Sequence, residues 1–108
     1  MEIEKKTCKQ DEVKALSDVE VKRLLLEVPQ WLLKNKTIER EFKFKDFKAA
    51  MKFVNKVAVL AEAEDHHPDI CIFYNKVQLT LSTHKVGGLS CKDFILGARI
   101  NLAAESGR

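Results

Sequence analysis

Twice along the chain, two short strand-like runs meet at an Asn-Lys dipeptide and are followed by a helical pattern. The first pair covers residues 31–33 and 37–44 around Asn35-Lys36. The second covers residues 70–74 and 77–84 around Asn75-Lys76. Connections this short leave no room for a crossover, so each pair must lie antiparallel as a hairpin. Alternation is clearest in the last run. Val77, Leu79, Leu81 and Thr83 share one side, while Gln78, Thr80, Ser82 and His84 share the other. That pattern predicts a half-buried strand with His84 on its polar side, at its end.

Three helices complete the pattern. Ser17-Asp18-Val19-Glu20 has the spacing of a capping box and opens a helix to about residue 27, which Pro29 stops. Residues 45–65 form the longest helix. Phe47, Ala50, Met51, Val54, Ala58 and Ala61 fall on one face, and Phe53, Val57 and Leu60 widen the stripe to about half the cylinder, beyond the usual ~100°. One part can pack on the sheet and the rest on another subunit. Pro68 lies beyond the end of this helix. Ser90-Cys91-Lys92-Asp93 resembles a second capping box and opens a last helix to about residue 105. Phe94, Ile95, Leu96, Ala98, Ile100, Leu102 and Ala103 make it apolar nearly all round, so it needs cover on two sides. The order α-β-β-α-β-β-α predicts an α+β two-layer domain, a four-stranded antiparallel sheet with three helices packed on one face. The two β-β-α halves look alike in outline, without an internal repeat strong enough to change this reading.

Residues 1–12 are charged and lack periodicity, which predicts a mobile extension ahead of a single domain at 13–108. With 45% hydrophobic residues the domain can bury a core. The net charge of +3 is small, and its lysines are interleaved with Glu and Asp, which argues against direct binding to nucleic acid. No stretch approaches the length of a membrane span, and no apolar leader is expected. The three cysteines, Cys8, Cys71 and Cys91, are odd in number and form no C-x-x-C pair. That points away from a small secreted disulfide scaffold and toward a reducing compartment, with the cytoplasm as the expected location.

All three histidines lie between positions 66 and 84. His66 and His67 end the long helix, and one hairpin separates them from His84, so the three can meet. Histidine has an unperturbed pKa of about 6.5, so one imidazole can hold a proton while another accepts one. Asp93, Asp65 or Glu62 could orient a ring and set its tautomer. Each residue also has a plainer reading. A His-His pair can simply interact with a helix C-terminus. His84 can be solvated, Asp93 can serve only as a capping residue, and Glu62 can be an i,i+4 partner of His66. Glu62, His66 and His84 could hold zinc, but no H-E-x-x-H pattern is present and adjacent histidines rarely reach one ion together. Cys91 at a helix start could have a lowered pKa, with nothing to mark it as catalytic. Trp31 and Tyr74 at strand positions are expected in the core, with stacking on a flat ligand as the alternative.

The run Glu62-x3-His66-His67-Pro68, five residues, Tyr74, nine residues, His84, eight residues, Asp93 resembles the signature of the pterin-4a-carbinolamine dehydratases. The flanking EFKFKDFKAAMKFV and YNKVQLTLSTHKVGGLSCKDF agree, and the resemblance extends over about residues 17–104. Lys92 stands where some members have Arg, and a bidentate contact would be lost there. The resemblance implies a hydro-lyase that needs neither metal nor organic cofactor. It would convert 4a-hydroxytetrahydrobiopterin to quinonoid dihydrobiopterin and water, in tetrahydrobiopterin recycling. His66 and His84 would be the acid/base pair, His67 would hold the ligand and Asp93 would support the site. Glu62, Asp65, Ser82 and Thr83 would line or order it. The resemblance also implies a homotetramer built from dimers. Its alternative is an interaction protein, a dimerisation cofactor for a homeodomain transcription factor, which would extend its location to the nucleus.

Overall fold

The computed structural model describes residues 3–6, 8 and 13–106. After a 3-10 turn at Ile3–Lys5 come α1 (Asp18–Leu25), β1 (Leu32–Lys34), β2 (Thr37–Lys43), α2 (Phe47–Glu64), β3 (Asp69–Phe73), β4 (Lys76–Leu81) and α3 (Cys91–Ser106), with a second 3-10 turn at His84–Val86 before α3. The α-β-β-α-β-β-α order and the four-stranded antiparallel sheet agree with the sequence reading. The strands lie in the order β1-β2-β4-β3. The two hairpins are therefore joined through their second strands, with Ile38 opposite Leu81 and Phe42 opposite Val77. Ile38, Phe42, Val77, Leu79 and Leu81 are sealed from solvent on the face that the helices cover. The edge strands β1 and β3 are exposed.

Local chemistry explains the boundaries. Ser17 and Glu20 form a complete capping box on α1. Asp46 caps α2 by accepting the Ala49 N–H at 2.8 Å. The buried stripe of α2 is Ala50, Phe53, Val57 and Ala61. It is centred away from the expected Phe47–Met51–Val54–Ala58 line, and Phe47 and Ala58 are exposed. The reason is aromatic packing: Phe53 meets Phe42 and Phe44 with ring centroids 4.7 and 5.0 Å apart.

Three expectations are corrected. Tyr74 is not a strand or core residue. It is 66% exposed and adopts φ 55° in the second hairpin turn. The turn shifts because Asn75 is held by Phe44, its carbonyl accepting the Phe44 N–H at 2.8 Å and its side-chain amide donating to the Phe44 carbonyl at 2.9 Å. His84 does not end a strand but begins the 3-10 turn, because β4 stops at Leu81. The N-terminal stretch is not a loose lead-in where it is described. Ile3 is buried, its turn packs on α3, and Arg99 donates to the Lys6 carbonyl at 2.9 Å. The apolar girth of α3 needs cover beyond the sheet, and this turn supplies part of it. The rest of residues 1–12 lies outside the described residues. Cys8 and Cys91 are joined as a disulfide with Cα atoms 6.0 Å apart, while Cys71 is a free, exposed thiol. A pairing across 83 residues leaves no local signal in the sequence.

α3 approaches the sheet closely at Gly97. A Cβ there would lie 3.3 and 3.4 Å from Trp31 ring atoms. Trp31 cannot retreat, since it is 2% exposed and its Nε1 donates to Asn101 Oδ1 at 2.8 Å. Gly97→Ala gains about 1 kcal/mol of helix propensity but adds overpacking of about 1–3 kcal/mol. The variant should lose about 1 kcal/mol in urea denaturation, and an increase in midpoint would refute this account of the packing.

Candidate active site

α2 ends because Asp65 adopts a left-handed conformation, φ 49° and ψ 44°, that Asp tolerates better than most residues. Its N–H returns to the Ala61 and Glu62 carbonyls, and the His66 N–H reaches the Ala61 carbonyl at 3.0 Å. The reversal separates the two adjacent histidines. His66 turns inward and is 9% exposed, whereas the His67 ring faces solvent.

Behind His66 is a sealed polar network. His66 Nε2 lies 2.6 Å from Asp93 Oδ1. The other carboxylate oxygen accepts the Thr83 hydroxyl at 2.8 Å and the Ser90 backbone N–H at 2.9 Å. Thr83 Oγ1 and Ser90 Oγ are 2.8 Å apart. All four residues are buried, and Asp93 and Ser90 are completely so. The inward alternation of β4 continues through Thr83, which explains its direction. The loop after it closes on itself, with the Thr83 N–H bonded to the Gly88 carbonyl at 2.7 Å. Gly87 ends the 3-10 turn at φ 68°, a conformation that favours glycine.

In front of His66 is a cavity of about 400 Å³, within the size range of small-molecule sites. His66, His67, His84, Asp65, Ser82 and Thr83 all line it. Lys85 and Lys92 contribute positive charge, and Val13 an apolar wall. Lys92 Nζ donates to the Glu64 carbonyl at 3.3 Å, which ties it to the end of α2. Asp93 is not on the wall but behind His66. Glu62 is not on the wall either, and it is not the expected i,i+4 partner of His66. Its Oε2 lies 2.5 Å from His67 Nε2 instead, because the reversal at Asp65 carries His66 off the helix face. Neither Trp31 nor Tyr74 reaches the cavity, so neither supplies a stacking wall. Among the described residues no group of three or more His, Cys, Asp or Glu side chains could hold a metal ion.

Sequence reasoning missed Ser90 as part of this network and Val13 and Lys85 as lining residues. Ser90 was visible only as a helix cap. Chemically, the arrangement offers a histidine backed by a buried carboxylate, two further imidazoles and two ammonium groups around one small space. It can take up and deliver protons to a polar ligand.

The network also predicts a contrast in stability. Asp93→Ala strands the Thr83 hydroxyl, the Ser90 N–H and the His66 ring nitrogen, and should cost about 3 kcal/mol. His67→Ala removes an exposed pair and should stay within about 0.5 kcal/mol of the parent protein. Urea denaturation of the two variants side by side checks this, and equal losses would contradict it.

The family described as Pterin 4 alpha carbinolamine dehydratase matches residues 14–103. A provisionally named pterin-4-alpha-carbinolamine dehydratase of Chloroflexus aurantiacus is 51% identical over 86 residues, 80% of this chain and 92% of the relative. One of Sulfolobus acidocaldarius with the same provisional name is 45% identical over 86 residues, 80% of this chain and 94% of the relative. The crystal structure of the transcriptional coactivator/pterin dehydratase from Brucella melitensis superposes with a TM-score of 0.81 at 34% identity, covering 84% of this chain and 99% of that one.

Proposed function

The chain belongs to the pterin 4 alpha carbinolamine dehydratase family, and from that premise we propose that it is a hydro-lyase acting on 4a-hydroxytetrahydrobiopterin. The C4a–O bond breaks, the hydroxyl leaves as water after receiving a proton, and N5 gives up its proton. The products are quinonoid dihydrobiopterin and water, and no electron acceptor is needed. In tetrahydrobiopterin recycling that product would be reduced and reused.

The observation that carries this reading is the His66–Asp93 pair, 2.6 Å apart and buried, at the back of a cavity that His67 and His84 also line. An imidazole beside a buried carboxylate can take a proton without leaving an isolated charge in the interior. His84, exposed across the same cavity, supplies the second member of the acid/base pair. His67, placed by Glu62, is a ligand-holding group, while Asp65, Ser82 and Thr83 order the pterin's polar edge. The test is dehydration of freshly generated 4a-hydroxytetrahydropterin followed by ultraviolet absorbance. Wild type should exceed the spontaneous rate, and His66→Ala and His84→Ala should each lose roughly 10²–10⁴ in rate. Full activity in both variants would remove the histidines from the mechanism.

A second reading, as an interaction protein for a transcription-factor helix, draws on a different surface. Val59 is 70% exposed and, with Leu60, Leu102 and Ala103, lines an apolar groove between α2 and α3. The same surface supports self-association to a homodimer or homotetramer, which we regard as its main use because isolated domains rarely leave such patches open. Sedimentation at micromolar concentration should find an oligomer, and a monomer would count against it. If the site mutations abolish dehydration, they should leave either association intact.

A further inference from the structure

With Asp93 ionised, the buried hydrogen bonds around it have one consistent assignment of protons. The Ser90 backbone N–H can only donate, and it donates to Asp93 Oδ2 at 2.9 Å. Thr83 donates its single hydroxyl proton to the same oxygen at 2.8 Å. Thr83 must then accept at its other contact, so the Ser90 hydroxyl donates to it at 2.8 Å. Ser90 Oγ in turn accepts the Lys92 N–H at 3.3 Å. Two donors therefore occupy Oδ2, and Oδ1 is left facing His66 Nε2 at 2.6 Å. An ionised carboxylate only accepts, so Nε2 carries the hydrogen, and the lone pair of the neutral ring is on Nδ1. Among the described residues His66 Nδ1 makes no hydrogen bond, yet no buried side-chain nitrogen or oxygen there lacks a partner. Nδ1 is therefore open to the cavity that His66 lines.

We propose that Thr83 and Ser90 are positioning residues that fix the Asp93 carboxylate by its Oδ2, so that its remaining acceptor, Oδ1, holds His66 in its Nε2–H tautomer with Nδ1 presented to the substrate. This rests on the acid/base reading of the site and adds the atom at which His66 works. Two elements converge on one oxygen. The end of β4 delivers the Thr83 hydroxyl, and the approach to α3 delivers the Ser90 N–H. A proton arriving at Nδ1 makes an imidazolium whose charge the fixed carboxylate balances.

Asp93→Asn reads the assignment directly. The Ser90 N–H belongs to the backbone and still needs an acceptor, so the amide oxygen takes the place of Oδ2. The amide NH2 then faces His66 Nε2, which must accept, and the ring hydrogen moves to Nδ1. The measurement is nitrogen-15 NMR of the imidazole rings at a pH where titration in the same spectra shows His66 neutral. The chain has three histidines, so His67→Ala and His84→Ala suffice to assign them. Wild type should show His66 as Nε2–H and Asp93→Asn as Nδ1–H, with kcat falling by up to about 10⁴, as in the amide variant of a serine-protease triad. Thr83→Val should lower kcat by roughly ten- to a hundredfold, the range for groups that orient metal-bound histidines, and Thr83→Ser should restore most of it.

A wild-type His66 in the Nδ1–H form, or no inversion in a folded Asp93→Asn protein, would overturn the proposal whatever the activity. If that variant does not fold, the wild-type spectrum and the Thr83 pair still decide. Nε2–H with clean inversion, in a protein without dehydratase activity, would uphold the positioning and overturn the proposed reaction instead.

Discussion

A carboxylate closed off from water has to be matched by donors aimed at it, or the fold loses several kcal/mol. Asp93 is wholly buried, and its partners come from three places in the chain. His66 follows α2, Thr83 follows β4, and Ser90 precedes α3. The carboxylate is satisfied only when all three are docked together. The same condition assembles the wall of the cavity, because His66 and Thr83 line it and His84 immediately follows Thr83. Folding and site formation are thus one event at this point.

The hydrophobic core sets the distances on which that network relies. β2 and β4 carry the sealed residues at the centre of the sheet, and Phe53 of α2 packs on Phe42 and Phe44. α3 is brought close by Gly97 under Trp31. Trp31 is in turn fixed by Asn101, which also accepts from Arg40 at 2.5 Å. With both helices positioned on the sheet, the end of α2 and the start of α3 come together beside the end of β4. Protein interiors are close-packed, so small shifts in this frame would be transmitted to hydrogen bonds that tolerate only tenths of an ångström.

Much of this was legible from single residues. The alternation along β4, continued past its end, placed Thr83 inward, because the strand period is two, whereas His84 is exposed from the 3-10 turn and not from a strand. The grouping of His66, His67 and His84 followed from their closeness in sequence across one hairpin, the family resemblance added Asp65, Ser82 and Thr83, and all six line the cavity. Glu62 was misplaced because helical spacing pairs it with His66, whereas the left-handed Asp65 carries His66 off the helix and leaves His67 beside it. Tyr74 was misplaced because aromatic residues favour strands, whereas the turn there is set by Asn75 holding Phe44. The stripe of α2 was read too broadly, since periodicity finds an apolar face but not the partner that centres it.

What the sequence alone determined was periodic or local. Strands, helices and their caps depend on residues a few positions apart, the α+β class on the order of those elements, and the family signature on fixed spacings between Glu62 and Asp93. What only the tertiary structure decided was long-range. It set the order β1-β2-β4-β3, joined Cys8 to Cys91, and placed Asp93 behind His66 rather than on the cavity wall. It also turned Ser90 from a helix cap into a partner of the buried carboxylate. The physical reason is that a side chain's hydrogen-bonding capacity is written in its type, whereas which partner meets it is settled by how packed elements exclude water around it.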